Sequence, residues 1–190
     1  VTGWPFGALR MFGYGVILAD PPWLFELRSA KGETKAPQAH YRCMPTEEIC
    51  ALPVGHLASR DCALVLWGIT PMLQDALAVL RAWGFRYATM GVWAKQSRTG
   101  RRWAFGTGYI YRGAAEFWLV GVVGDPELRS RSVRNLIVAP VHREHSRKPD
   151  QMHDDIERLW HGPYCEVFAR RHRRGWHCWG DELEGIEEAA

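Results

Sequence analysis

The sequence predicts an α/β fold, a mostly parallel sheet with helices on both faces, built as one domain over residues 1–190. Three observations carry this. Short continuous apolar runs of strand length alternate with segments whose apolar residues keep helical spacing. The first run, Gly15 to Asp20 (GVILAD), stops at an acid followed by two prolines, as a buried strand does when it ends abruptly. A chain of 190 residues, 47% hydrophobic and 24% charged, has material for one well-buried core and no room for a second of full size.

The elements follow in order. Thr46 to Leu52 is predicted as a short helix, with Thr46 as N-cap and Glu47 and Glu48 near its positive end. Cys62 to Trp67 (CALVLW) repeats the buried-strand pattern. From Pro71 to Trp83 the residues Met72, Ala76, Leu77, Leu80 and Trp83 keep helical spacing; Thr70 caps this helix, Pro71 fills its first turn and Gly84 closes it. Phe85 to Trp93 and Glu116 to Val123 read as strands, and Ala94 to Gly113 between them as a long excursion from the sheet. Asn135 to Ala139 is a further short strand. Lys148 to Trp160 is a helix with Met152, Ile156, Leu159 and Trp160 on one face, and Cys165 to Ala169 is the last strand. In such a sheet ligands collect at the carboxyl ends of the strands.

Composition excludes several classes. No stretch approaches the ~20 apolar residues that span a bilayer, and the start lacks the basic, apolar and small-residue order of a signal peptide, so a soluble, cytoplasmic protein is expected. The five cysteines are odd in number, scattered and without a CxxC pair, which argues against a disulfide scaffold or a structural zinc. A formal charge of +3 does not announce a polyanionic partner, but the charge distribution is suggestive. Between Lys95 and Arg112 lie Arg98, Arg101 and Arg102 and no acid, interleaved with Trp103, Phe105, Tyr109 and Tyr111. Cations neutralise phosphates and aromatic rings stack on bases, the two needs of nucleic-acid contact; a solvated charged face is the plain alternative.

Asp20-Pro21-Pro22-Trp23 is the sharpest feature. Two prolines stiffen the backbone and bring a carboxylate, the carbonyl of a peptide that has no N–H, and an aromatic ring into one small cleft. Those groups suit an exocyclic amine on a flat base. Asp20 and the Pro21 carbonyl accept its hydrogens and Trp23 stacks on the ring, provided that the base is flipped out or single-stranded. The structural alternative is a strand end with a capping acid and a buried Trp.

The motif resembles the D-P-P-[WYF] of amino-methyltransferases that use S-adenosylmethionine. Its Trp form is similar to the adenine-N6 methyltransferase family that contains the catalytic subunit of the eukaryotic messenger-RNA methyladenosine writer and many bacterial and phage members. The resemblance runs from Val16 to Gly185, through His40-Tyr41, PTEEI at 45–49, LWGIT at 66–70, VWAK at 92–95, EFWLVGVVGDP at 116–126, HSRKPDQMHDDIERL at 145–159 and EVFARRHRRGW at 166–176. It implies a Rossmann-like methyltransferase fold in permuted order, with DPPW ahead of the cofactor-binding strand. The implied reaction is in-line methyl transfer from S-adenosylmethionine to the N6 amine of adenine, releasing S-adenosylhomocysteine, with no metal.

Residue by residue, the resemblance implies that Asp20, Pro21, Pro22 and Trp23 form the catalytic cleft, with Asp20 also near the amino group of the cofactor. Lys148 meets the methionine carboxylate of the cofactor, and Glu166, Arg170 and His172 surround its ribose and tail. Asp181 and Glu182 stand where relatives often carry amides. Tyr41, Lys95 and Glu116 fall at substrate positions, with Arg98, Arg101 and Arg102 joining them from the basic loop. A half-buried strand-edge aromatic is the alternative for Tyr41, and a structural ion pair for Lys95 and Glu116. Small size without a zinc finger or RNA-binding module favours DNA of a bacterial or phage system over RNA. A catalytically silent nucleic-acid-binding subunit is the third reading, against which the intact DPPW and Lys148 weigh. A homodimer or a partner subunit is left open, and no membrane partner is expected. The missing G-x-G-x-x-G pattern sets aside a generic nucleotide-binding domain.

Overall fold

The computed structural model describes residues 3–25, 43–106, 108, 110–142, 146–181 and 183. Its elements are β1 (Tyr14–Ala19), α1 (Thr46–Ala51), β2 (Ala58–Gly68), α2 (Leu73–Ala82), β3 (Arg86–Gln96), β4 (Ala115–Val123), β5 (Leu136–Pro140), α3 (Gln151–Leu159), β6 (Tyr164–Val167) and β7 (Trp176–Trp179). The strands form one sheet in the order β5-β3-β4-β2-β1-β6-β7. All neighbours pair in parallel except at β4, which is antiparallel to both β2 and β3. The other strands therefore finish at the edge where β4 begins. From β1 the sheet extends through β2 on one side and β6 on the other, which makes its carboxyl end a switch point of the topology.

Strand alternation sorts the core into two halves. Ile17 and Ala19 of β1, Leu64 and Leu66 of β2, and Phe117 and Leu119 of β4 pack with Ile49 of α1 and Ala76, Val79 and Leu80 of α2. Val16, Leu18, Ala63, Val65, Trp67, Trp118 and Val120 point the other way, onto Met152 and Ile156 of α3. Helices thus cover both faces, as predicted, and each large apolar side chain so buried contributes about 1.5–3 kcal/mol. No helix among the described residues is long and apolar enough to cross a membrane.

Local details differ from expectation. Thr46 opens α1 but does not cap it; its hydroxyl donates instead to Asp75 Oδ1 of α2, 2.9 Å away, because a carboxylate is the stronger acceptor. Thr70 and Pro71 lie in a 3₁₀ turn, Thr70–Met72, ahead of α2. Gly84 closes that helix at φ +85°, the left-handed backbone open to glycine. Cys165 to Ala169 is not the last strand, for β7 adds to the sheet in parallel beyond β6. Lys148 precedes α3 rather than starting it.

Candidate active site

Asp20 follows the last residue of β1, an interior strand between β2 and β6, with its backbone N–H directed at the Val167 carbonyl of β6. The prolines behind it turn the chain sharply. Trp23 N–H donates to the Pro21 carbonyl at 2.9 Å, and Met44 N–H to the Pro22 carbonyl at 2.8 Å, so the turn is sewn to the chain just ahead of α1. The Pro21 carbonyl, expected to be open, already holds one donor and keeps one lone pair for a substrate amine. Trp23 is also not the exposed stacking ring that the motif suggested. It is 5% exposed, packed in the core on the α1 and α2 side, and its indole N–H donates to the Trp67 carbonyl at 3.1 Å. The ring braces the turn, because an indole this large gains more by burial than a wet surface returns.

Four charged groups meet at the same edge. The Lys148 ammonium donates to both Asp20 oxygens, at 2.8 and 2.7 Å, and lies 3.5 Å from Glu116 Oε2. Glu116 comes from the start of β4 and accepts a short hydrogen bond from Lys95 near the end of β3. Antiparallel pairing puts these two side by side, since Trp93 is in register with Glu116 and Ala94 with Ala115. Under the charges lies a tryptophan floor. Trp67 packs edge-on against Trp118 and Trp93, with ring centroids 5.3 and 6.3 Å apart. Lys148 Nζ sits 5.5 Å from the Trp67 centroid and Lys95 Nζ 4.9 Å from that of Trp93, close enough for cation–π attraction.

That floor sets the electrostatics. Burial drives the Asp20 carboxyl above the ordinary aspartate value; Lys148 opposes the shift without cancelling it, and Glu116 adds to it. Burial also pushes Glu116 up, but the Lys148 and Lys95 ammonium groups outweigh it and leave the carboxyl below its usual range. One oxygen of Glu116, Oε2, is buried without a hydrogen bond among the described residues. The Lys148 ammonium faces that oxygen from 3.5 Å, an ion pair too long for a good hydrogen bond, so Oε2 keeps room for a ligand ammonium or amine.

The other predicted residues spread outward. Glu166 of β6 lies on the α3 side of the sheet, its Oε2 2.8 Å from Nε2 of His153, whose ring packs edge-on against Trp176. Sequence reading missed His153 entirely, because a lone helical His carries no pattern. Arg170 is half-buried beyond β6 and its charge acts on Asp20, whereas His172 and Asp181 are exposed. Arg98, Arg101 and Arg102 are exposed on the excursion that leaves β3 at this edge and returns into β4. Tyr41 and Glu182 lie outside the described residues.

Comparison with known proteins bears on what this edge serves. The family model MT-A70 matches residues 14–182. The chain is similar to the N(6)-adenosine-methyltransferase MT-A70-like of Arabidopsis thaliana, 32% identical over 182 residues that cover 91% of this chain and 24% of that protein. It is similar to the N(6)-adenosine-methyltransferase catalytic subunit METTL3 of Homo sapiens, 30% identical over 183 residues that cover 91% of this chain and 29% of that protein. It is also similar to the Type II methyltransferase M.MunI of Mycoplasma sp, 29% identical over 191 residues that cover 90% of this chain and 78% of that protein. The chain spans 24% and 29% of the two adenosine methyltransferases, a minor part of each. The family model begins at the first residue of β1, runs past the end of β7 and takes in the whole charged edge, and on that match the chain belongs to the MT-A70 family of adenine-N6 methyltransferases.

Proposed function

We propose that this chain methylates the N6 amine of adenine in DNA, with Asp20 and the Pro21 carbonyl as the amine acceptors. The observation that carries the reading is the placement of Asp20, a carboxylate at the switch point of the sheet, on a proline-stiffened turn and above its ordinary pKa. Such a group orients an amine without binding it as a fixed salt bridge. Its two acceptor oxygens and the remaining lone pair on the Pro21 carbonyl draw the amine hydrogens in and turn the nitrogen lone pair outward.

MT-A70 methyltransferases use S-adenosylmethionine as methyl donor, and the residues present fit it. Its amino-acid end carries a carboxylate and an ammonium; the edge offers the Lys148 ammonium to the first and the carboxylates of Asp20 and Glu116 to the second. When bound, it supplies a methyl group made electrophilic by its sulfonium. In this reading Lys148 holds the carboxylate, and Glu166, Arg170, His172 and Asp181 line the approach. Positive charge already sits on the cofactor, so the chain's part is positioning and acceptance of two hydrogens. As the N–C bond forms and the C–S bond breaks, one proton leaves the amine and passes to solvent, since a carboxylate is too weak a base to hold it; the other N–H stays on the product.

DNA is favoured by the match to a type II methyltransferase over 78% of that protein's length. RNA is the second reading, favoured by the 30–32% identity to adenosine methyltransferases. A cytoplasmic site of action and a homodimer or partner subunit belong to the same proposal. The test is transfer of labelled methyl from S-adenosylmethionine to duplex DNA, single-stranded DNA and RNA, with nucleoside mass analysis and Asp20→Ala beside the unaltered chain. N6-methyladenine in DNA, lost in Asp20→Ala, is expected. Transfer to RNA alone overturns the choice of polymer, and cofactor binding with no transfer to any polymer points to a silent subunit.

A further inference from the structure

We infer that the excursion between β3 and β4 is a stacking platform for an unpaired DNA strand, with Trp103, Phe105 and Tyr111 as its rings. The inference rests on the nucleic-acid reading above and deepens it by naming the form of substrate. Apolar side chains are mostly buried in this chain, yet these three rings are 63%, 82% and 88% exposed. Large rings held out in water together mark a surface that receives something.

The exposure is built rather than incidental. Ser97 N–H donates to the Arg102 carbonyl at 2.7 Å, Ala104 N–H to that of Lys95 at 2.8 Å, and Gly106 N–H to that of Gly113 at 2.8 Å. Gln96 and Trp103 form a bridge of their own. This ladder keeps the rings from folding back onto the sheet. Its two feet, Gln96 and Ala115, adjoin Lys95 and Glu116, so whatever rests on the platform continues directly to Asp20.

Charge names the occupant. From Lys95 to Ala115 there is no acid, and Arg98, Arg101, Arg102 and Arg112 are all exposed. The Arg112 guanidinium lies 5.9 Å from the Phe105 ring centroid, a cation and a flat ring offered together. Four exposed cations with no acid among them suit the repeated phosphates of a nucleic-acid strand, and the flat rings beside them suit its bases. A duplex covers its base faces by its own stacking and shows a protein only edges and phosphates, which rings do not grip. An unpaired strand offers every base face.

The test is fluorescence anisotropy of the 190-residue chain with a labelled 16-nucleotide single strand and with the same sequence as duplex, for the unaltered chain, each of Trp103→Ala, Phe105→Ala and Tyr111→Ala, and the triple variant. Single strand is expected to bind at least about tenfold tighter than duplex, to weaken about fivefold or more with each ring removed, and to weaken at least about a hundredfold in the triple variant. Duplex affinity and thermal midpoint stay put, the latter because the rings support no core. Single-strand affinity within about twofold of normal in the triple variant, or an equal fall for both forms of DNA, overturns the platform. So does a dimer in light scattering that the triple variant turns into monomer, since the rings then serve a protein contact. Methyl transfer with ring-independent binding defeats this inference alone, while ring-dependent binding with no transfer to any polymer defeats the transferase reading alone.

Discussion

Lys148 is bound to both oxygens of Asp20 in the structure, and that contact has a measurable energy. Lys148→Met deletes the ammonium and keeps an apolar stem over Trp67. Stripping one partner from a fully buried ion pair costs about 3–5 kcal/mol, because the other charge is left without compensation. Here the side chains of Lys148 and Asp20 retain 13% and 23% of their exposure, and Asp20 is already pushed toward its neutral form. Water and protonation thus relieve part of the penalty, and a cost of about 2 kcal/mol at pH 7 is expected, a drop of about 4–8 °C in thermal midpoint for a chain of this size.

Asp20→Asn keeps an acceptor for Lys148 and costs about 1 kcal/mol. The double variant is expected to cost about 1–2 kcal/mol less than the sum of the two, read from urea unfolding of the four proteins. Burial makes the folded chain bind the Asp20 proton more tightly than the unfolded chain does. Asp20 therefore lowers stability as pH rises from the ordinary aspartate range through its raised folded value. Removing the ammonium deepens that loss, so the Lys148→Met penalty should be small in acid and full at neutrality. Single costs that add within about 0.5 kcal/mol, or a penalty that ignores pH, would refute the reasoning.

Other outcomes follow from the same geometry. Glu116 is held below the ordinary glutamate range, so its contribution is present above that range and is lost as pH falls through its folded value; Glu116→Gln should cost about 1–2 kcal/mol at pH 7 and nothing in strong acid, measured by denaturant unfolding across pH. Gly91 lies in register with Trp118, and a Cβ there would collide with the Trp118 ring at Cζ2 and stand 2.9 Å from the Asn135 carbonyl. Gly91→Ala is expected to cost about 1–3 kcal/mol, and a loss under 0.5 kcal/mol on the same assay means that the tryptophan floor yields freely. Trp23→Phe removes the indole donor to the Trp67 carbonyl and should cost about 1 kcal/mol, or about 2–4 °C in thermal midpoint; an unshifted midpoint counts against that bond.

Much of the fold is legible in the residues themselves. GVILAD, CALVLW and the Glu116 to Val123 run are strands because continuous apolar stretches of that length bury on both faces, and the structure pairs them at the centre of one sheet. Strand β7 was hidden because Trp176–Trp179 is four residues long and follows a run of arginines, and its burial comes from β6 beside it and not from its own pattern. DPPW marked the site through a local cause, since two prolines fix a backbone whatever surrounds them. What that motif could not state is which groups are open. Trp23 went to the core and the Pro21 carbonyl took a neighbouring N–H, outcomes that depend on Trp67 behind the one and on the turn's closure for the other.

Sequence alone therefore determined the α/β class, the central strands and the turn that carries Asp20, all of which arise from neighbouring residues and apolar periodicity. Tertiary structure decided the charges. Asp20, Lys95, Glu116 and Lys148 come from four distant parts of the chain, and only the reversed direction of β4 and the loop ahead of α3 set them together on a tryptophan floor. Burial and Coulomb attraction act over a few ångströms of space, and that proximity is created by strand order rather than by position in the chain.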